Sequence, residues 1–254
     1  MELAVVDFET YEKSVTAALD ALNVRERIGT RTGVLIKPNL INDSPHPITT
    51  PAACCEVIVN YLQAGGDTPI VIAEGCGDSV LETGAVFAAL GYTALARKYG
   101  ISLLDLNHAP LTTLRRPECP VFPEMVLPEI AFTHTIISVP VLKAHSLAGI
   151  TGSLKNMLGF APPEHYAGQY GSWKKAAFHG RMQQSIIDLN QYIVPDLTVM
   201  DGSIGMAEYH LGGPRCDPPV AKIVAGYNPW TVDREAARLL QLDWRTVKHI
   251  RAGF

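Results

Sequence analysis

The chain has 254 residues, 47% hydrophobic and 18% charged, which is enough to close one large α/β core. Its formal net charge is -4 with no run of Lys or Arg, which argues against nucleic acid as a partner. No stretch approaches the roughly 20 apolar residues that span a bilayer. The start, MELAVVDFETYEK, lacks the basic and long apolar segments of a signal peptide, so a cytoplasmic protein is expected.

Residues 3–8 read as a first strand, and residues 12–28 as a helix with Val15, Ala18, Leu19 and Leu22 near helical spacing. A turn over residues 29–33 leads to a short apolar strand that ends at Lys37-Pro38-Asn39, where proline stops the run. After a loop, Thr50-Pro51 predicts a helix start with a hydroxyl cap, running to Ala64 and stopped by Gly65-Gly66. Residues 69–73 are the next strand, with Glu74 at its carboxyl end and the tight loop Gly75-Cys76-Gly77-Asp78-Ser79 beyond it. Helical patterns cover 81–90 and 93–99, and residues 101–104 are a strand. Residues 108–129 are rich in proline and compatible with either a strand pair or an inserted flap.

The β-branched run 135–139 is a buried strand that Pro140 is expected to end. Beyond it lie Lys143, His145, Thr151, Ser153, Lys155 and Asn156, interleaved with glycines, and a short helix is expected over 152–158. Residues 161–179 carry Pro162, Pro163 and little periodicity, which fits a lid or a plain surface excursion equally. A strong helix over 181–193 follows, then a strand over 197–200 ending in Asp201-Gly202. The Gly/Pro-rich loop 203–219 leads to a strand over 220–225, a helix from Thr231 to Leu240, and a last helix capped by Asp243.

Strands alternating with helices predict a single α/β domain over 1–254: a mostly parallel sheet with helices on both faces and Gly/Pro-rich loops at the carboxyl ends of the strands. Ligands bind at those ends in such sheets. They carry Lys37 and Asn39, Glu74, Lys143 and His145, Asp201, and Asn228 with Asp233. Lys37, Lys143 and Lys155 are expected to meet at one anion site, with Asn39, Glu74 and Asn156 orienting the ligand. Asp201, Asp233 and His145 are expected to face the same pocket and to carry the acid/base or ion-binding step. Asp233 reads also, and slightly better, as a cap on the first turn of its own helix. No permanent metal is expected there, because a lysine nearby weakens cation binding. The five cysteines include no Cys-x-x-Cys, so no iron–sulfur cluster is expected in this chain. No nucleophile elbow or Walker loop is present.

At these same residues the chain resembles the prokaryotic domain of unknown function 362 family. The resemblance rests on Ile36-Lys37-Pro38-Asn39, Thr50-Pro51, Pro140-Val141-Leu142-Lys143-Ala144-His145 and Thr151-Gly152-Ser153-Leu154-Lys155-Asn156 with Gly159. Asp201-Gly202, Gly213-Pro214 and Asn228-Pro229 with Asp233 follow in order, so it spans nearly the whole chain. It implies an α/β domain and a shared polar site, but no reaction. Some members of that family carry an attached ferredoxin module, whose cysteines this chain lacks. Three readings stay open: binding of a small anionic ligand, with or without catalysis; a redox accessory working with a separate ferredoxin; and handling of a divalent metal. The cofactor and the oligomeric state are not written in the sequence.

Overall fold

The computed structural model describes residues 1–29 and 31–254. The turn expected over 29–33 includes Thr30, which lies outside the described residues. The chain opens with β1 (Leu3–Asp7), α1 (Tyr11–Ala21) and α2 (Val24–Arg27). The single helix expected over 12–28 is broken at Asn23, which takes a left-handed turn with φ 52; asparagine tolerates that conformation better than most residues. Then come β2 (Val34–Pro38), α3 (Ala52–Gln63), β3 (Ile70–Glu74), α4 (Thr83–Ala89), α5 (Tyr92–Tyr99) and β4 (Ser102–Asp105).

β5 (Leu111–Arg115) and β6 (Glu124–Pro128) form a separate antiparallel pair. α6 (Ile130–Thr133) returns the chain to the main sheet at β7 (Thr135–Val139), β8 (Val141–His145) and β9 (Gly149–Thr151). Next are α7 (Ser153–Asn156), a 3-10 turn (Met157–Phe160), α8 (Pro163–Tyr166), a second 3-10 segment (Ala176–Arg181) and α9 (Met182–Tyr192). The chain continues with β10 (Leu197–Met206), β11 (Lys222–Gly226), α10 (Pro229–Leu239), a third 3-10 turn (Trp244–Thr246) and α11 (Lys248–Arg251).

The main sheet of nine strands runs β1-β11-β10-β7-β2-β3-β4, with β8 on the outer part of β10 and β9 on β8. From β10 through β4 the pairing is parallel, whereas β11 is antiparallel to both of its neighbours. Two expectations need correction here. Pro140 does not end the strand; it interrupts the ladder for one residue, and the chain resumes as β8 against β10, with the Asp201 amide donating to the Pro140 carbonyl at 2.9 Å. Thr50 does not cap α3: its hydroxyl donates to the Val139 carbonyl at 2.6 Å and accepts from the Asn39 amide at 2.9 Å, tying two strand ends together.

Helices cover both faces. Val15, Ala18, Cys54, Ile58 and Val59 of α1 and α3 pack on Ile36, Ile72 and Val199. Ile186 and Leu189 of α9 pack on Leu35, Val71 and Ile136 of the other face. Val232 and Ala236 of α10 meet Met200 and Val224 in a third cluster. Fully burying one such aliphatic side chain is worth about 1.5–3 kcal/mol. Alternation along β2 therefore sends Ile36 to one face and Leu35 and Lys37 to the other. No helix among the described residues is long and apolar enough to cross a membrane.

Candidate functional site

A cavity of about 260 Å³ lies at the carboxyl ends of β2 and β3, beside the turn that carries α7. Its floor is a buried ion pair. The Lys37 amine donates to both Glu74 oxygens at 2.8 and 2.9 Å, to Asn156 Oδ1 at 3.2 Å and to the Pro38 carbonyl at 3.1 Å. Glu74 also accepts the amides of Leu40 at 3.0 Å and Gly75 at 2.8 Å. Asn156 Nδ2 donates to the Lys37 carbonyl at 3.1 Å and to Ser138 Oγ at 2.9 Å. Burial lowers the Lys37 pKa, and Glu74 opposes that shift. A side chain at Gly159 would run into both the Glu74 carboxylate and the Lys37 amine, so glycine alone lets the chain pass over the pair.

The wall is basic. α7 carries Lys155 and Asn156 into the cavity. Burial, then Lys37, pulls the Lys155 pKa down to about 8, with Glu74 opposing. The Lys155 amine has no hydrogen-bond partner among the described residues. Lys175 is pushed down to about 7 by burial, again against Glu74. Its amine is fully occupied, donating to Asn107 Oδ1 at 2.6 Å, to the Gly159 carbonyl at 3.3 Å and to the Ala161 carbonyl.

Three imidazoles complete the wall: His145, His179 and His210. His145 Nδ1 accepts the Leu147 and Ala148 amides, both at 3.2 Å, which leaves any ring proton on Nε2. Burial, then the Lys155 charge, drives its pKa far below the ordinary histidine value. His210 stacks on His145 with ring centroids 3.7 Å apart and 18° between planes, and is pushed down to about 3 by burial and then Lys155. His179 is lowered by the same two causes. All three rings are therefore neutral at pH 7. Trp173 and Tyr209 line the remaining wall.

Of the residues singled out on sequence, Lys37, Asn39, Glu74, His145, Lys155 and Asn156 line this one cavity. Asn39 reaches Asn156 Oδ1 at 3.4 Å, and its own Oδ1 has no partner among the described residues. Lys143 sits just outside. It donates to the Ile48 carbonyl at 2.5 Å, and its pKa falls to about 7 through burial and then Lys155.

Asp201 and Asp233 do not line the cavity. Asp201 shares a face of β10 with Leu197 and Val199, which pack under α1 and α3. There it accepts the Tyr11 hydroxyl at 2.8 Å, the Ser203 amide at 2.9 Å and His46 Nε2 at 3.1 Å. Burial disfavours its charge, yet His46 and Ser203 hold its pKa below the ordinary carboxylate value. Asp233 was expected on the shared edge on the premise of a parallel strand before it. β11 runs antiparallel, with Gly226 beside Thr198 at the amino end of β10, and so delivers α10 to the other edge. Asp233 also does not cap its own helix, a duty that falls to Asn228 accepting the Thr231 amide at 3.0 Å. It caps α7 instead, accepting the Ser153 amide at 2.6 Å and the Leu154 amide at 3.1 Å. Burial raises its pKa to about 7 against the pull of those two amides.

Sequence reasoning missed Trp173, Lys175, His179, Tyr209 and His210. They come from segments 161–179 and 203–219, which have no periodicity. Tyr209 and His210 follow the end of β10, and the lid reading of 161–179 is the signal for the other three. Outside the cavity, Glu82, Asp105 and His108 each bring a ligand atom within 4.8 Å of the others, but Glu82 already pairs with Lys174 at 2.9 Å.

Fold and site together define an α/β domain with a basic cavity over the carboxyl ends of parallel strands. The chain belongs to the family described as Domain of unknown function (DUF362), whose model matches residues 34–238. No curated protein matches it in sequence. Among solved structures it is similar to the lactate racemase apoprotein from Thermoanaerobacterium thermosaccharolyticum, at 12% identity and a TM-score of 0.53. The likeness covers 93% of this chain and 56% of that one, so this chain spans little more than half of its relative. At that identity the likeness concerns the fold.

Proposed function

We propose that the chain binds a small carboxylate- or phosphate-bearing molecule in this cavity, with the Lys155 amine as the central cation. The observation that carries the reading is the half-buried Lys155 amine, which among the described residues has no hydrogen-bond partner and no carboxylate of its own, in a wall shared with His145, His179 and His210. Glu74, the carboxylate on the cavity floor, is committed to Lys37 and two amides. A cation drawn partly out of water without a counter-charge is destabilised, and an anionic ligand offsets that cost. The volume admits a small molecule and not a polymer.

The fold relative named above acts, by its name, on lactate, a small carboxylate, which agrees with a ligand of this size and charge. In the proposed complex the anion raises the pKa of Lys155, and the neutral imidazoles hydrogen-bond it through their N–H groups. Any acid/base step then falls to Lys155 and His145, because Asp201 and Asp233 stand away from the ligand.

The test is isothermal titration of the wild type and of Lys155→Gln with phosphate, lactate and pyruvate near pH 8. One charged hydrogen bond is worth about 1.5–3 kcal/mol, so Lys155→Gln should weaken binding roughly ten- to more than a hundredfold. Proton uptake should accompany binding to the wild type, measured in buffers of different ionisation enthalpy. Equal affinity in the variant, or no binding of any of the three anions to the wild type, would sink the reading.

A further inference from the structure

Four lysines stand at or beside the cavity, three of them buried and Lys155 half-buried, and their partners separate Lys155 from the rest. Lys37 is spent on Glu74 and Asn156, Lys175 on Asn107 and two carbonyls, and Lys143 on the Ile48 carbonyl. Among the described residues, Lys155 alone presents an amine to the cavity without an acceptor. It stands on α7, a turn fixed at one end by the Asp233 cap and at the other by the Asn156 bonds to Lys37 and Ser138. A lysine that is desolvated, set beside another cation and free of hydrogen-bond acceptors has its lone pair available at mild pH, which is the setting of amine nucleophiles.

We propose that Lys155 is a covalent nucleophile that forms an imine with a small 2-oxo acid held in this cavity. The inference rests on the anion-binding reading, because the carboxylate of the 2-oxo acid is the anion bound there. The step is balanced without any oxidant or reductant. The Nζ lone pair attacks the carbonyl carbon, the C–N bond forms, and the carbonyl π pair moves to oxygen. Both protons of the neutral amine leave with that oxygen as one water molecule, relayed by the neutral imidazoles of the wall, and the imine nitrogen takes back from solvent the proton that the Lys155 ammonium released before attack. The protonated imine keeps the positive charge that the carboxylate needs, so bond formation does not undo binding. Lys155, at about 8 in the empty cavity and higher once the carboxylate is bound, supplies free amine at mildly alkaline pH.

The experiment adds pyruvate and sodium cyanoborohydride to the intact protein and locates the product by peptide mass spectrometry, while calorimetry measures pyruvate binding without reductant. The expected result is a carboxyethyl group on Lys155, absent in Lys155→Arg. Its rate at saturating pyruvate should rise with pH by about tenfold from one unit below the pKa of the bound amine to well above it. Pyruvate binding with no adduct on Lys155 overturns this inference and leaves anion binding standing. So does adduct formed at comparable yield on the exposed Lys13 and Lys98. Absence of pyruvate binding overturns the inference, and loss of phosphate and lactate binding as well would take the underlying reading with it.

Discussion

Charge placement inside the site is decided residue by residue. Lys37 and Glu74 are both nearly inaccessible, 0% and 2% exposed, so neither charge is hydrated and each depends on the other. Breaking such a pair from one side costs about 3–5 kcal/mol, because the remaining charge stays buried and unmatched. Lys37→Met should therefore lower the unfolding free energy by about that amount in urea titrations. The double variant Lys37→Met/Glu74→Gln should recover part of the loss, since the orphan charge is then gone. A single variant within experimental error of the wild type would mean that water reaches the pair. Lys155 behaves in the opposite way. It has no partner to lose, so Lys155→Met should leave stability unchanged or raise it, while ligand affinity falls. Stability and function are thus carried by different lysines, Lys37 bonded to Asn156 and Lys155 next to it in sequence.

Elements explain why that separation is possible. α7 is one turn long and too short to hold itself. Asp233 supplies acceptors for its first two amides, and Gly152 leaves no side chain to collide with that carboxylate. Asp233→Ala strands two buried amide donors at about 1–3 kcal/mol each. It should lower the urea midpoint and also weaken phosphate binding, because the turn that aims Lys155 loosens. Asn228→Ala, which removes the cap of α10, should cost about 1 kcal/mol and leave phosphate affinity unchanged. Equal effects of the two variants on affinity would show that Asp233 acts only through general stability.

The same elements show what was legible in the sequence. Lys37 and Glu74 were legible because each ends an apolar run closed by proline or glycine, and His145, Lys155 and Asn156 because they stand in the Gly-rich polar segment after a β-branched run; parallel strands bring such ends together. The direction of β11 was not, since the loop 207–219 allows either hand and an apolar run reads the same both ways. That one unknown moved Asp233 to the opposite edge. Asp201 was misplaced for a subtler reason: period-two alternation says that it shares a face with Val199, but not which face holds the cavity. Lys175, His179 and His210 sit in aperiodic loops whose path is set by packing against the site itself.

At the scale of the whole molecule, the buried bases make an unusual prediction about pH. An unfolded lysine titrates near 10.4, whereas Lys143 and Lys175 titrate at about 7 and Lys155 at about 8 when folded. Between those limits the unfolded chain binds more protons than the folded one, so stability rises with pH. The contribution is fully present only above the unfolded value and is lost as pH falls through the folded value. Other groups bound the usable window. Asp233, raised to about 7, pulls the opposite way below that pH by holding a proton that the unfolded chain has released. Buried thiols such as Cys55, pushed up to about 12 by burial, begin to penalise the folded state once the unfolded thiols ionise. That happens from about pH 8.5 upward. From about pH 7 to 8.5 the lysines dominate, each adding at most about 1.4 kcal/mol per pH unit, while near pH 7 the lowered His145, His210 and His249 add to the rise and Asp233 still opposes it. The wild type should therefore gain urea resistance across this range, Lys143→Met should gain less, and saturating phosphate should flatten the rise by favouring the charged Lys155. A urea midpoint that is level or falling over the same range would show that the amines are charged and hydrated in the folded protein. The cavity would then lose the uncompensated cation on which its proposed chemistry depends.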